Sequence, residues 1–329
     1  MIENEGKPSS CSGSRYESAR IGLGSLAPRP LALLGSESGL IRGCDVRNIS
    51  RTPQEPKQLY QFFRAQFFYQ LKRKPALELL EVSDISVRFG GIVALDSLSF
   101  TIKKGEILGL IGPNGAGKTT MFNVISRVYE PSSGRLQFNG IDLLTIRPEN
   151  IARHGISRTF QNLALWGSLS VLENVMLGAH TQGRNGFVRS ALRIGTRSEE
   201  RKLAMNAYTI LQELGLEDIA FRPAAGLPYG TLKRIEIARA LASNPQLLML
   251  DEPAAGLTHS EVDELGDLVK ELRTRYDLTV LLVEHHMSMV MAISDNIVVL
   301  NFGRKISEGG PAVVSQDPQV IEAYLGGAE

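Results

Sequence analysis

The chain has 329 residues, 36 Lys and Arg against 35 Asp and Glu, and a formal net charge of +1; 43% of it is hydrophobic and 22% charged. That is room for one large or two ordinary domains with real cores, and the composition is that of a soluble globular protein. It argues against a dedicated nucleic-acid binder, which carries a basic excess, and against a chain that spans a bilayer alone, since no run approaches the ~18 consecutive apolar residues required.

The opening MIENEGKPSS has no basic stretch leading into an apolar one, so no secretory signal is expected. Residues 1–75 carry 12 Lys and Arg against 6 Asp and Glu, a net of +6, and residues 76–329 a net of −5. Cys11 and Cys44 both fall in the first segment, so the larger part forms neither a disulfide nor a thiolate metal site. A cytoplasmic address fits that usage. Residues 1–56 are rich in Ser, Gly, Pro and Arg without helical or strand periodicity, and read as disordered. In 57–74, KQLYQFFRAQFFYQLKRK, the residues Leu59, Phe62, Phe63, Phe67 and Leu71 recur at roughly helical spacing ahead of a Lys-Arg-Lys cluster. One reading is an amphipathic helix lying on anionic lipid; the other, which is preferred, is a marginal or non-native stretch, such as upstream sequence translated from a misassigned start. The expected division is an N-terminal extension, 1–75, and a single domain, 76–329.

From Leu77 the texture becomes α/β. LELLEVSDISVRF predicts a strand, and LDSLSFTIKKGEILGLIG two more, the last almost wholly apolar as a buried central strand should be. TTMFNVISRVY predicts a helix. A mostly helical stretch follows over roughly 170–245, including SVLENVMLGAH and RSEERKLAMNAYTILQELG. NPQLLMLDEP and LTVLLVEHH each present a short apolar run ending in charged or polar residues, as buried parallel strands do where they deliver chemistry. NIVVLNFG predicts a last strand, followed by a turn and a short helix ending near Leu325.

The string GPNGAGKTT, Gly112-Pro113-Asn114-Gly115-Ala116-Gly117-Lys118-Thr119-Thr120, fits G-x-x-x-x-G-K-[ST] between a strand and a helix, which is a P-loop in its confirming context. Gly112, Gly115 and Gly117 let backbone N–H groups approach phosphate oxygens, and the helix beginning near Lys118 adds its positive dipole end. Lys118 would reach the β- and γ-phosphates of ATP, and the Thr119 hydroxyl would ligate Mg²⁺. In LLMLDEP, Asp251 emerges from a buried strand where it can hold Mg²⁺ directly or through water, and Glu252 is placed to deprotonate an attacking water.

With these fixed, residues 76–329 resemble the ATP-binding-cassette ATPases. The resemblance implies a P-loop NTPase of α/β class, with a RecA-like core, an antiparallel β subdomain and a helical subdomain. It implies that Gln161 in RTFQN is the Q-loop glutamine, touching Mg²⁺ and water. LPYGTLKRIEIARAL stands as the signature loop and its helix, AAGLT (254–258) as the D-loop, His285 as the switch histidine at the γ-phosphate, and Phe89 in VRFGG as the aromatic that stacks on adenine. The signature departs from L-S-G-G-Q, keeping of its two glycines only the second, Gly230, and Thr258 stands where Asp is common. VEHHM, FGGIVAL, DEPAAGL, VIEAYLG and the Pro-Tyr-Gly form resemble one branch, the ATP-binding subunits of branched-chain amino-acid importers, the LivG type; Thr231 and Leu232 depart even from it.

The resemblance implies a motor that works as a pair, with a second and related cassette chain, two transmembrane permease subunits and, indirectly, a periplasmic substrate-binding protein. It places the chain at the cytoplasmic face of the cell membrane, with no nucleic-acid partner and with much of 163–226 meeting the permease. A urea, amide or other amino-acid importer is the nearest alternative. A non-transport cassette ATPase fits less well: there is a single P-loop and no heptads between Lys118 and Asp251, and the intact Lys118, Asp251, Glu252 and His285 argue for turnover.

Overall fold

The computed structural model describes residues 78–159, 164–179 and 196–325. The extension and its amphipathic stretch, Gln161, and nearly all of the basic segment after His180 lie outside the described residues. Strand β1 (Glu78–Phe89) and β2 (Ile92–Lys103) form an antiparallel hairpin, turned at Gly90 and Gly91, and β4 (Ser133–Phe138) and β5 (Ile141–Asp142) extend it into a sheet of order β2-β1-β4-β5. The second sheet has the order β10-β9-β3-β8-β7-β6, built from β3 (Ile107–Ile111), β6 (Ile156–Arg158), β7 (Leu247–Asp251), β8 (Thr279–Val283), β9 (Asn296–Asn301) and β10 (Arg304–Gly309). Its strands pair parallel except for β10, which returns antiparallel at the edge.

All five residues of β3, β7 and β8 are buried, which is why these strands read as unbroken apolar runs. Successive side chains still point to opposite faces. Ile107, Leu248 and Val280 join one core with the helices, whereas Leu108, Met249 and Leu281 join the other with the antiparallel sheet. Each such fully buried aliphatic side chain stabilises the fold by about 1.5–3 kcal/mol, so the strands that carry the chemistry at their carboxyl ends are firmly held.

Helix α1 (Lys118–Ile125) follows β3 through the P-loop. It stops four residues short of the expected end at Tyr129, because the Ser126 hydroxyl bonds back to the Phe122 carbonyl and Arg127 turns left-handed at φ 59°. The chain reverses there, and Tyr129 packs edge-on to Phe89, ring centroids 5.1 Å apart. Strands β4, β5, β6 and β10 lack a long apolar run, and only the resemblance, not the periodicity, foretold an antiparallel subdomain.

The helical stretch holds α2 (Val171–Gly178), α3 (Thr196–Glu213) and α4 (Tyr229–Leu241). Ser170 caps α2 in a reciprocal box with Glu173, whose carboxyl these bonds hold below its usual value. Helix α5 (His259–Tyr276) opens with the same device: Glu261 accepts the Thr258 N–H at 2.8 Å. Thr258, the expected departure from Asp, is thus a helix cap, a task either residue performs. Helices α6 (Met287–Ile293), α7 (Pro311–Val314) and α8 (Pro318–Leu325) complete the described chain, the last ending at the expected Leu325. No described helix is long and apolar enough to cross a membrane.

Candidate functional site

Neighbouring strands β3, β8 and β7 end side by side, and their last residues lead directly into Gly112, Glu284 and Glu252. The P-loop needs glycine at two positions for different reasons. At Gly112 a Cβ would lie 2.2 Å from the Leu300 carbonyl oxygen, so any side chain collides with β9. Gly117, at φ 104° immediately before α1, would place a Cβ 2.7 Å from Leu95 and 2.8 Å from the Ala94 carbonyl. Asn114 and Gly115 are exposed between them, while Ala116 is buried. Thr119 is exposed and Thr120 half-buried on the first turn of α1.

Lys118 is 6% exposed, and its Nζ donates to the Gly112 and Pro113 carbonyls at 2.7 and 3.0 Å. The ammonium is thus held against the carbonyls at the start of the loop. Burial lowers its pKa from 10.5, opposed by the charges of Glu252 and Asp251. Beside the loop lies an open cavity of about 720 Å³, lined by Pro113, Asn114 and Ala116 on one side and Phe302 and Tyr324 on another. Burial pushes the Tyr324 hydroxyl up to about 12, partly offset by the N–H of Gly112.

Asp251 closes β7 at 2% exposure and is paired at 2.7 Å with Arg158, the last residue of β6. Arg158 also donates to Asn123 on α1 at 2.7 Å and lies over the Phe122 ring. Thr159 accepts the Asp251 N–H at 3.3 Å. Motif reading had passed over Arg158 and Thr159; the only signal was their place directly before Phe160-Gln161. Glu252 adopts a left-handed φ of 48°, rare for a residue with a side chain, and its N–H is held by the Val283 carbonyl at 2.8 Å. That turn swings its carboxylate to 2.8 Å from His285 Nε2. The structure therefore brings Lys118, Asp251, Glu252 and His285 to one edge of the sheet.

Phe89 stands at the end of β1, 45% exposed, supported by Tyr129. Gly230 is on the first turn of α4, where a Cβ would meet Glu261 Oε1 at 2.9 Å, and Leu232, the second departure of the signature, packs against the helical core. Gln161 lies outside the described residues. Among the described residues no group of three or more His, Cys, Asp or Glu side chains could by itself hold a metal ion. The donors at hand, the Thr119 hydroxyl and the Asp251 carboxylate, are hard oxygens, and Mg²⁺ characteristically takes one or two such ligands and completes its shell with phosphates and water. The donor set fits that ion when phosphate is present.

Comparison with known proteins agrees with this geometry. Residues 95–255 match the ABC transporter family, and residues 304–329 match the branched-chain amino acid ATP-binding cassette transporter family. The high-affinity branched-chain amino acid transport ATP-binding protein BraF of Pseudomonas aeruginosa is 40% identical over 251 residues, covering 76% of this chain and 98% of its own. LivG of Escherichia coli K12, described in the same words, is 41% identical over 251 residues, with the same coverage. A crystal structure of a nucleotide-free ATP-binding cassette from an ABC transporter superposes with a TM-score of 0.67 at 32% identity, over 76% of this chain and 99% of that one. A cassette solved in its ADP conformation gives the same TM-score and identity. The chain belongs to the ABC transporter family, as an ATP-binding, ATP-hydrolysing subunit in the branch of the branched-chain amino-acid transport cassettes.

Proposed function

We propose that this chain is the motor subunit of an importer for branched-chain amino acids. The observation that carries the reading is the Glu252–His285 contact of 2.8 Å beside the buried Lys118, joined to a sequence about 40% identical to transport ATPases of that class along nearly their whole length. The division into an extension, 1–75, and a cassette, 76–329, is part of the proposal.

ATP lies with its phosphates on the loop from Gly112 to Thr120 and with adenine on Phe89. Lys118 leaves its two carbonyl partners to reach the β- and γ-phosphates. Thr119 and Asp251, with Gln161, would hold Mg²⁺, which would screen the phosphate charge. The Glu252 carboxylate takes a proton from the attacking water as the water oxygen forms its bond to the γ-phosphorus and the bond to ADP breaks. His285 holds the γ-phosphate and, through its contact, the orientation of Glu252. Such a positioned base contributes about 10²–10⁴ in rate.

Gly230 and the amides at the start of α4 serve the nucleotide of a second cassette, a related but distinct chain. Two permease subunits bind the helical subdomain, whose exposed Trp166, Met205 and Phe221 support a docking role, and a periplasmic binding protein delivers the substrate to them. The chain sits peripherally on the cytoplasmic face of the membrane.

The test is uptake of labelled leucine by cells lacking their native subunit. They are complemented with this chain, with residues 76–329, or with Glu252→Gln. Uptake restored by the first two and not the third is expected. Expression of the full chain without leucine uptake overturns the substrate, and urea and short amides are then assayed.

A further inference from the structure

We infer that Glu284 is a positioning residue: its buried carboxylate clamps the loop after Glu252 to the loop bearing His285, and so sets these two side chains against each other. Glu284 directly follows β8 and is 1% exposed. Its Oε1 accepts the N–H of Ala254 at 2.6 Å. Its Oε2 accepts the N–H groups of His285 at 2.8 Å and His286 at 3.1 Å. One carboxylate thus holds three backbone donors from two segments that are more than 25 residues apart in sequence.

The arrangement answers a problem in the turn it touches. Glu252 keeps a left-handed backbone, and such a conformation persists only where its surroundings over-determine it. Two consecutive residues of the β8 end do so: Val283 holds the N–H of Glu252 through its carbonyl, and Glu284 holds that of Ala254 through its side chain. The same carboxylate fixes the backbone of His285, so the 2.8 Å contact from His285 Nε2 to Glu252 Oε1 is set from both ends. The Ala254 end continues as the 254–258 loop into α5 and its Thr258 cap. A displacement of that loop therefore reaches Glu252 and His285 through Glu284.

The chemistry calls for a side chain that accepts on both of its terminal atoms. A carboxyl group does so, and no other side chain of this length does. A glutamine would turn its NH₂ against either Ala254 or the two histidine amides. An aspartate, one methylene shorter, could serve one side at a time.

The inference deepens the ATP-hydrolysing reading and rests on it, so the test has two arms on the intact transporter purified through this subunit. The first is amide hydrogen exchange. Glu284→Gln should lower the protection of Ala254 or of His285 and His286 by about tenfold or more, and unchanged protection at all three overturns the clamp. The second is a double-mutant cycle on ATP turnover. E284Q should lower kcat on the order of tenfold with KM for ATP within about twofold, and E284Q/H285A should lie within about twofold of H285A alone. Losses that multiply, or a rise in KM with kcat unchanged, show that Glu284 does not act through His285 and overturn the proposal. Should E284Q not fold, E284D is carried through the same cycle, with an intermediate kcat expected and equality with wild type overturning it. Absence of turnover in the wild-type transporter would sink the ATPase reading, and the exchange arm would still decide the clamp.

Discussion

Replacing Arg158 with methionine tests what holds Asp251 in place, and also removes the bond to Asn123. The guanidinium lies 2.7 Å from the carboxylate, with side-chain exposures of 14% and 3%. Removing one member of a buried pair strands the other charge and costs about 3–5 kcal/mol, with the Lys118 charge offsetting part of it here. For a domain of this size each kcal/mol moves Tm by about 2–4 °C, so R158M should melt roughly 10 °C below wild type in a thermal scan of the nucleotide-free protein. A second mutation separates the charge from the rest: Asp251→Asn removes the stranded charge, so R158M/D251N should recover the electrostatic part of the loss while the Asn123 bond stays lost. An R158M protein melting within about 2 °C of wild type, or a double mutant no better than R158M, would refute the claim that the pair carries this stability.

Three further outcomes follow from the same geometry. Gly117→Ala puts a methyl 2.7 Å from Leu95 and 2.8 Å from the Ala94 carbonyl; overpacking of this kind costs about 1–3 kcal/mol, so Kd for ATP, read by fluorescence titration, should rise about tenfold or more, and an unchanged Kd would mean the loop relaxes around it. Phe89→Ala should raise Kd for ATP by roughly 2–12-fold, the range of about 0.5–1.5 kcal/mol for an aromatic contact, and no change would remove Phe89 from the site. Glu106 has its carboxyl raised above 4.5, chiefly by burial and against the Lys103 amide bond. Above 4.5 and up to its folded-state value the native protein holds the extra proton, so stability falls as pH rises through that window; urea melts of Glu106→Gln should lose this component of the pH slope, and an unchanged slope would assign it elsewhere.

What could be read in the sequence was what is local. The apolar runs LGLIG, LLMLDEP and LLVEHH became β3, β7 and β8 because strands buried on both faces need no alternation, and each ends where a functional side chain stands. Strand β6 has three residues, too short for any period, and is recognised only by its pairing with β7. Helix α1 was overextended because Ser126 and Arg127 are ordinary helix residues until the Ser126 back-bond and the left-handed turn are seen. Arg158 and Glu284 were missed as participants for one reason. Each stands next to a residue that motif reading valued, but the partner that gives it its place, Asp251 or Ala254, is 93 or 30 residues away, and such pairings are settled by sheet order.

The central claim is that Glu252 deprotonates the attacking water at the end of β7, and it is tested most directly by ATP turnover and ATP binding measured side by side for wild type and Glu252→Gln. Glutamine keeps the shape and cannot take the proton, so turnover should fall by about 10²–10⁴ while ATP affinity is retained. A Glu252→Gln protein that hydrolyses ATP within about tenfold of wild type would contradict the account.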